Sequence, residues 1–134
     1  MSGGDLDLVR EGFARFQAGD AKWKDLIHPE IEWDFSAYPL ADIPSRGRGR
    51  EDVLTKVIAT YYSGWRGYEA EIIELAQAGD EVLVVQREVV RVADSEQPLS
   101  RDTFHVWTMR DRMWVRWRIF PDRDTALEAA GLRE

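Results

Sequence analysis

From residue 68 to residue 121 the chain is strand-like in four runs, 68–78, 81–92, 99–110 and 113–121, of which the last two alternate, interrupted only at Gly79-Asp80, at 93–98 and at Asp111-Arg112. Alternation with a period of two sends successive side chains to opposite faces of a strand, and interruptions this short leave neighbouring strands antiparallel. The C-terminal half is therefore expected to fold as a four-stranded meander. Such a sheet needs a partner layer, and the rest of the chain has to supply it.

The last two runs say most about function. With Asp111-Arg112 as a two-residue turn, His105 lies opposite Arg118, Trp107 opposite Arg116, Met109 opposite Trp114 and Thr103 opposite Phe120. One face then carries Thr103, His105, Trp107, Met109, Trp114, Arg116, Arg118 and Phe120. Charge and aromatic surface mixed on a face that ought to be buried is the pattern of a ligand pocket. The other face, with Asp102, Phe104, Val106, Thr108, Arg110, Met113, Val115, Trp117 and Ile119, is more evenly apolar through its middle. It suits a dimer interface or packing beneath a helix.

The N-terminal half supplies helices. Leu6, Val9, Phe13 and Phe16 recur at helical spacing over 5–18, and Gly19-Asp20 ends that helix and caps a second over 21–27. The second stops at His28-Pro29, because the residue before proline disfavours helix. Glu30-Ile-Glu-Trp-Asp-Phe35 alternates and reads as a strand, and the proline-, glycine- and arginine-rich stretch 36–49 reads as a loop. Arg46, Arg48 and Arg50 are read as its solvated basic patch. A third helix over 50–65 carries an apolar stripe through Val53 or Leu54, Val57, Ile58, Tyr61, Tyr62 and Trp65. A short helix over 122–132, capped by Asp122 or Asp124 and ended at Gly131, closes the chain. Helices segregated over one antiparallel sheet make an α+β domain.

A chain of 134 residues with 44% apolar side chains fits one domain, 1–134, whose core has room for a cavity. The absence of cysteine excludes disulfides, thiolate metal sites and cysteine nucleophiles. A net charge of -7 argues against nucleic acid as partner, because phosphate binding needs a basic face. Two histidines among scattered carboxylates lack metal-ligand spacing, so neither a metal nor a cofactor is expected. With no long apolar run and no basic-then-apolar leader, a soluble, cytoplasmic protein without a membrane partner is expected.

Element order, turn positions and several motifs together resemble the nuclear transport factor 2-like superfamily, in its polyketide-cyclase-like and ketosteroid-isomerase-like branch. The motifs are Phe16-Gln-Ala-Gly-Asp20, Leu26-Ile-His-Pro-Glu-Ile-Glu-Trp-Asp34, Gly49-Arg-Glu-Asp-Val53, His105-Val-Trp-Thr-Met-Arg-Asp111 and Asp122-Arg-Asp-Thr-Ala-Leu-Glu-Ala-Ala-Gly-Leu132. The resemblance implies a cone: three N-terminal helices packed on a strongly curved, mixed but mostly antiparallel sheet, with a short C-terminal helix. It also implies a cavity on the concave face and a homodimer through the convex one. Asp34 lies where the isomerase-like pattern has its general base, whereas the isomerase's helix tyrosine would fall at Gly12 or Phe13 and is absent.

Through this resemblance the face with Thr103 and His105 becomes the pocket lining. Asp34 and His105 are the expected proton-transfer groups, with Arg118 holding anionic charge. Tyr38, Tyr61, Glu88, Thr103, Trp107, Arg116 and Phe120 are the expected ligand contacts. Tyr61 and Tyr62 are adjacent, so at most one should point well inward. Glu88 is the expected partner of Arg116 and Arg118 if it faces in, and Arg87 takes its place otherwise. The expected ligand is a small apolar or weakly acidic molecule. The function is either cofactor-independent acid/base catalysis of the isomerase, cyclase or lyase type on a carbonyl or cyclic compound, or non-catalytic binding, or a dimeric scaffold with a filled interior.

Overall fold

A computed structural model describes residues 2–63, 65–92 and 97–132, so most of the expected turn at 93–98 lies outside the described residues. In chain order the elements are α1 (Ser2–Gln17), a 3-10 helix (Ala21–Leu26), β1 (Ile27–Asp34), β2 (Arg46–Arg48), α2 (50–63), β3 (Gly67–Ala78), β4 (Glu81–Arg91), β5 (Leu99–Arg110), β6 (Met113–Phe120) and α3 (Arg123–Ala129). The middle of α2, Val53–Ile58, is wound as a π-helix. The strands form one sheet in the order β2-β1-β6-β5-β4-β3. Only β1 and β6 run parallel. This is the expected α+β cone, with the meander as its wall.

Two elements differ from expectation at the sheet's β1 edge. Strand β1 begins at Ile27 and runs through Pro29, which has no N–H for a ladder. Its pairing with β6 is irregular between Ile27 and Glu32, so the proline falls where regular bonds are interrupted. The expected loop before α2 contains the short edge strand β2, whose Arg46 and Arg48 stand opposite Asp34 and Glu32. Arg46 approaches Asp34 at 3.4 Å, and Arg48 pairs with Glu32. The basic patch is thus a set of cross-strand ion pairs as well as a solvated edge. Between the two arginines, Gly47 lies directly under the indole of Trp33, which donates from Nε1 to the Pro44 carbonyl at 2.7 Å.

The hairpin carries the largest correction. Asp111 and Arg112 both take positive φ, 50° and 63°, as a two-residue primed turn requires, and Met109 stands opposite Trp114 as expected. One residue further, β6 bulges at Val115. From there the partners are Thr108 and Arg116, Trp107 and Trp117, Val106 and Arg118, His105 and Ile119, and Phe104 and Phe120. A bulge adds one residue to one strand, and with a side-chain period of two it exchanges the faces of everything beyond it. Trp117 and Ile119 turn inward, and Arg116, Arg118 and Phe120 turn outward.

The buried residues divide accordingly. The main core lies between the helices and the inner sheet face, around Leu8, Val9, Trp23, Ile31, Trp33, Phe35, Val53, Val57, Val82, Val84, Met109, Trp114 and Ile119. A second cluster on the outer face, Leu83, Val85, Val106 and Phe120, is roofed by Ala126 and Ala130 of α3. Being covered on both faces explains why Val82 to Val85 is an unbroken apolar run. Asp122 caps α3 by accepting from the Thr125 amide at 2.7 Å.

The Gly47 contact yields a test of this packing. A Cβ at Gly47 would lie 2.1 Å from Cη2 of Trp33, a ring only 2% exposed and with nowhere to retreat. Gly47→Ala should lower the unfolding free energy by about 1–3 kcal/mol, the usual cost of overpacking. Gly67→Ala, where the new methyl meets only the Arg91 side chain at 3.4 Å, should stay within about 0.5 kcal/mol of wild type in urea titrations.

Candidate functional site

Strand parity assembles the site. On β4, Val82, Val84, Gln86 and Glu88 share the inner face; their partners on β5 are Trp107, His105, Thr103 and Arg101, and Trp117 and Ile119 follow on β6. The helices lower a lid of apolar side chains onto this stripe: Gly12, Phe13 and Phe16 from α1, Trp23 from the 3-10 helix, and Val57, Ile58, Tyr61 and Tyr62 from α2. Tyr38 and Leu40 close it from the loop after β1. They enclose a cavity of about 110 Å³. Its walls are largely aromatic, with Trp107 stacked on Trp117 at 4.6 Å and tilted against Trp114 at 5.0 Å. Gly12 is where the tip of Trp114 meets α1: a Cβ there would lie 2.7 Å from Cη2. The absent helix tyrosine is replaced by tryptophan surface from the opposite wall.

One end of the cavity is charged. Glu88 is 3% exposed and accepts from Tyr61 Oη at 2.7 Å, from Tyr68 Oη, and from Arg101 Nε at 3.2 Å. Arg101 also donates to Tyr61 Oη, and its guanidinium lies 5.7 Å from the Tyr61 ring centroid and 5.8 Å from that of Trp65. A buried carboxylate is tolerable only when paired and hydrogen-bonded, and three donors provide that here. Burial, followed by the hydrogen bond to Glu88, pushes the Tyr61 hydroxyl well above the ordinary phenol value. Burial likewise raises Tyr68, and pushes Tyr62 up to about 12. All three phenols are therefore proton donors at neutral pH.

His105 sits deeper and is locked. Trp117 Nε1, which can only donate, points to His105 Nδ1 at 3.0 Å, and His105 Nε2 lies 2.8 Å from Thr103 Oγ1. Burial holds its pKa down at about 4, with Glu88 opposing and Arg101 reinforcing the shift. The neutral ring must carry its proton on Nε2, because Nδ1 is receiving one from the indole. Both nitrogens are engaged within the protein.

Among the expected site residues, the structure brings Tyr38, Tyr61, Glu88, Thr103, His105 and Trp107 together around the cavity. It leaves Asp34, Arg116, Arg118 and Phe120 on the outer face. Asp34 pairs in register with Arg118 and is held by Ser36, hydroxyl at 2.6 Å and amide at 2.9 Å, and by Arg46. Those hydrogen bonds, chiefly from the Ser36 hydroxyl, lower its pKa, the opposite of what a desolvated general base needs. Arg118 pairs with Glu81 at 3.1 Å rather than with Glu88, and Glu81 also accepts from Thr108. Arg116 lines an open polar groove with His28, Glu30, Glu32 and Arg48. Phe120 belongs to the cluster beneath α3. Arg87 faces out and pairs with Asp102 at 3.0 Å. Tyr61 and Tyr62 both reach the cavity, their rings edge to face at 5.2 Å, so adjacency on the helix does not exclude one of them.

Sequence reasoning missed Arg101, Gln86, Tyr68 and Trp117. The first two were within reach, because Arg101 has the parity of Thr103 and His105, and Gln86 that of Glu88. Tyr68 lies on β3 one diagonal step from Glu88, a neighbour that only the β3–β4 register reveals.

With the geometry in place, the chain can be set beside known proteins. Residues 9–117 match the SnoaL-like domain, and the chain belongs to that family, within the nuclear transport factor 2-like superfamily. Comparison with curated proteins yields no sequence match. The fold is similar to that of TerC, solved in co-crystals with polyporic acid, at a TM-score of 0.72 and 20% identity over 95% of this chain and 97% of that one. It is similar to an NTF2-like protein from Burkholderia pseudomallei, with a TM-score of 0.73 and 16% identity over 95% and 97% of the two chains. An LEH-like epoxide hydrolase of M. tuberculosis matches at 0.65 and 15% over 96% and 92%. At these identities the likeness is one of fold.

The buried histidine makes stability pH-dependent. His105 falls to about 4 in the folded chain against an ordinary 6.5, so the unfolded state binds more protons between those values. Its contribution is fully present above the ordinary value and is lost as pH falls through the folded one, by about 3 kcal/mol in all. Urea unfolding of wild type and His105→Gln, from about pH 7.5 to about pH 4.5, should show a smaller loss of stability in the variant. Parallel slopes would contradict a buried neutral His105.

Proposed function

We propose that the protein takes a small, mainly apolar, ring-containing carbonyl compound into this cavity and acts on it by cofactor-free proton transfer, as an isomerase, cyclase or lyase. The observation that carries the reading is Glu88, the one buried carboxylate among the described residues, at the end of an aromatic cavity. A carboxylate offers about four acceptor positions. Tyr61 and Arg101 use Oε1 and Tyr68 uses Oε2, which leaves one position on Oε2 to take a proton beside a bound carbonyl. Tyr61, kept protonated, spends its one hydroxyl proton on Glu88 Oε1 and so positions the base. Asp34 has no part in this scheme because it lies on the other face, and His105, doubly engaged and neutral, acts through its neighbours. The co-crystals of TerC with polyporic acid support a small-molecule ligand for this fold. The same reading places a second copy of the chain against the outer groove around Arg116, in a soluble, cytoplasmic dimer.

A second reading is binding without turnover, favoured by the three donors that already satisfy Glu88. The two separate cleanly. α-Deuterium exchange into a panel of small cyclic ketones, followed by NMR, should proceed with wild type and fall by about 100-fold or more in Glu88→Gln, the usual worth of a positioned base. Ketones that bind without exchanging would leave the binding reading standing and remove the catalytic one.

A further inference from the structure

We propose that Trp117 and His105 form a fixed relay that makes the Thr103 hydroxyl a hydrogen-bond donor into the cavity, so that the ligand presents an acceptor oxygen, carbonyl or ether, at this wall. The inference rests on the cavity reading above and adds to it the polarity of one wall.

The argument follows the protons. An indole N–H has no acceptor capacity, so the 3.0 Å contact from Trp117 Nε1 assigns His105 Nδ1 as acceptor. A neutral imidazole has one N–H, which must then be on Nε2. Nε2 lies 2.8 Å from Thr103 Oγ1, so the threonine oxygen accepts there and cannot send its own proton back along the same line. Among the described residues Thr103 has no second partner, and its side chain, 7% exposed, lines the cavity. A buried hydroxyl with an unmet donor favours a ligand that accepts.

The surroundings hold this arrangement rigid. The His105 ring stacks on Trp117 at 6.0 Å and 22°, and Trp117 is fixed in turn by Trp107 and by Phe35, edge to face at 4.9 Å. Rotating the imidazole to exchange its nitrogens would break both hydrogen bonds in a packed interior. Gln86, paired in register with Thr103, also lines the cavity. Its amide can turn either its oxygen or its nitrogen to a ligand, so it adapts to the ligand's polarity, whereas Thr103 sets it. Trp117 and His105 are positioning residues in this scheme, and Thr103 is the group that touches the ligand.

Two compounds of one shape separate the hydrogen bond from the fit: cyclopentanone, and methylenecyclopentane, in which a CH2 group replaces the oxygen. Both are titrated into wild type, Thr103→Val, Thr103→Ser and Trp117→Phe, following the indole N–H resonances. Wild type should prefer the ketone by about 3- to 10-fold more than Thr103→Val does, the size of one hydrogen bond. The alkene should bind the valine variant as it binds wild type, and serine should restore the preference. Trp117→Phe frees the tautomer and should reduce the preference with Thr103 intact. Nitrogen-15 spectra should show the His105 proton on Nε2 at neutral pH. If both compounds bind and the valine variant keeps the wild-type preference, or if the proton is on Nδ1, the inference falls while the cavity reading survives. If neither compound binds wild type, the cavity reading falls and takes the inference with it.

Discussion

The bulge at Val115 decides which side chains line the cavity. Without it, β6 would turn Arg116 and Arg118 into the cavity and place Trp117 and Ile119 outside. Two buried guanidiniums would then need partners, and Glu88 alone could not satisfy both. With it, the arginines reach Glu81 and the outer groove, and the inner wall gains an indole that stacks on Trp107, meets Phe35 edge to face and donates to His105. The extra residue replaces a cationic wall with an aromatic one. It also leaves Arg101 as the cation at the polar end, where its partly exposed side chain keeps contact with water.

That arrangement separates two kinds of polarity. At one end Glu88, Tyr61, Tyr68 and Arg101 share a network whose net charge is close to zero but whose carboxylate keeps one acceptor position free. In the low dielectric of the cavity such a network is costly to disturb by halves: removing either partner leaves the other charge uncompensated, typically at 3–5 kcal/mol. Along the wall, Trp117, His105 and Thr103 form a chain of neutral groups with a single direction of donation. The neutral chain cannot change protonation near physiological pH because His105 is held at about 4.

Much of this was legible in the residues. The meander and the order of helices and strands follow from the residue pattern, and the family resemblance put Thr103, His105 and Trp107 inward; the choice between Glu88 and Arg87 stayed open until the uninterrupted β4–β5 register turned Glu88 in. The turn at Asp111-Arg112 was also readable from its length. The bulge was not, because Val115 is an ordinary strand residue and nothing local marks it. Its causes are tertiary, namely Glu81 waiting on the outer face for Arg118, and an inner wall with space for the Trp117 indole. A one-residue slip is invisible to pattern and decisive for every side chain beyond it, which is why of the four expected pairs only Met109 with Trp114 held and the three beyond the bulge inverted. Asp34 illustrates a second limit. Its shared parity with Glu32 already put it away from Ile31, Trp33 and Phe35, and in this case parity outweighed the family analogy.

The consequence for the family is physical. A cone lined by helices and one sheet face fixes where a ligand sits, but the chemistry it meets depends on which residues the strand parity delivers. Here the helix offers only Gly12, closed by the Trp114 ring, and Phe13 where the resemblance would put a phenol, and the first-strand carboxylate is turned out and bound by Ser36. Polar and titratable groups consequently gather on β3, β4, β5 and α2, around a carboxylate on the inner face near the end of the sheet away from β1. A substrate bound with its oxygen on the neutral wall would place its remaining ring against Trp107, Trp114 and Trp117, and the width of a cavity of about 110 Å³ confines that ring to a small one. Under the proposed function, the orientation of a ligand would be set by two features before any proton is transferred, the Thr103 donor and the packed aromatic wall of Trp107, Trp114 and Trp117.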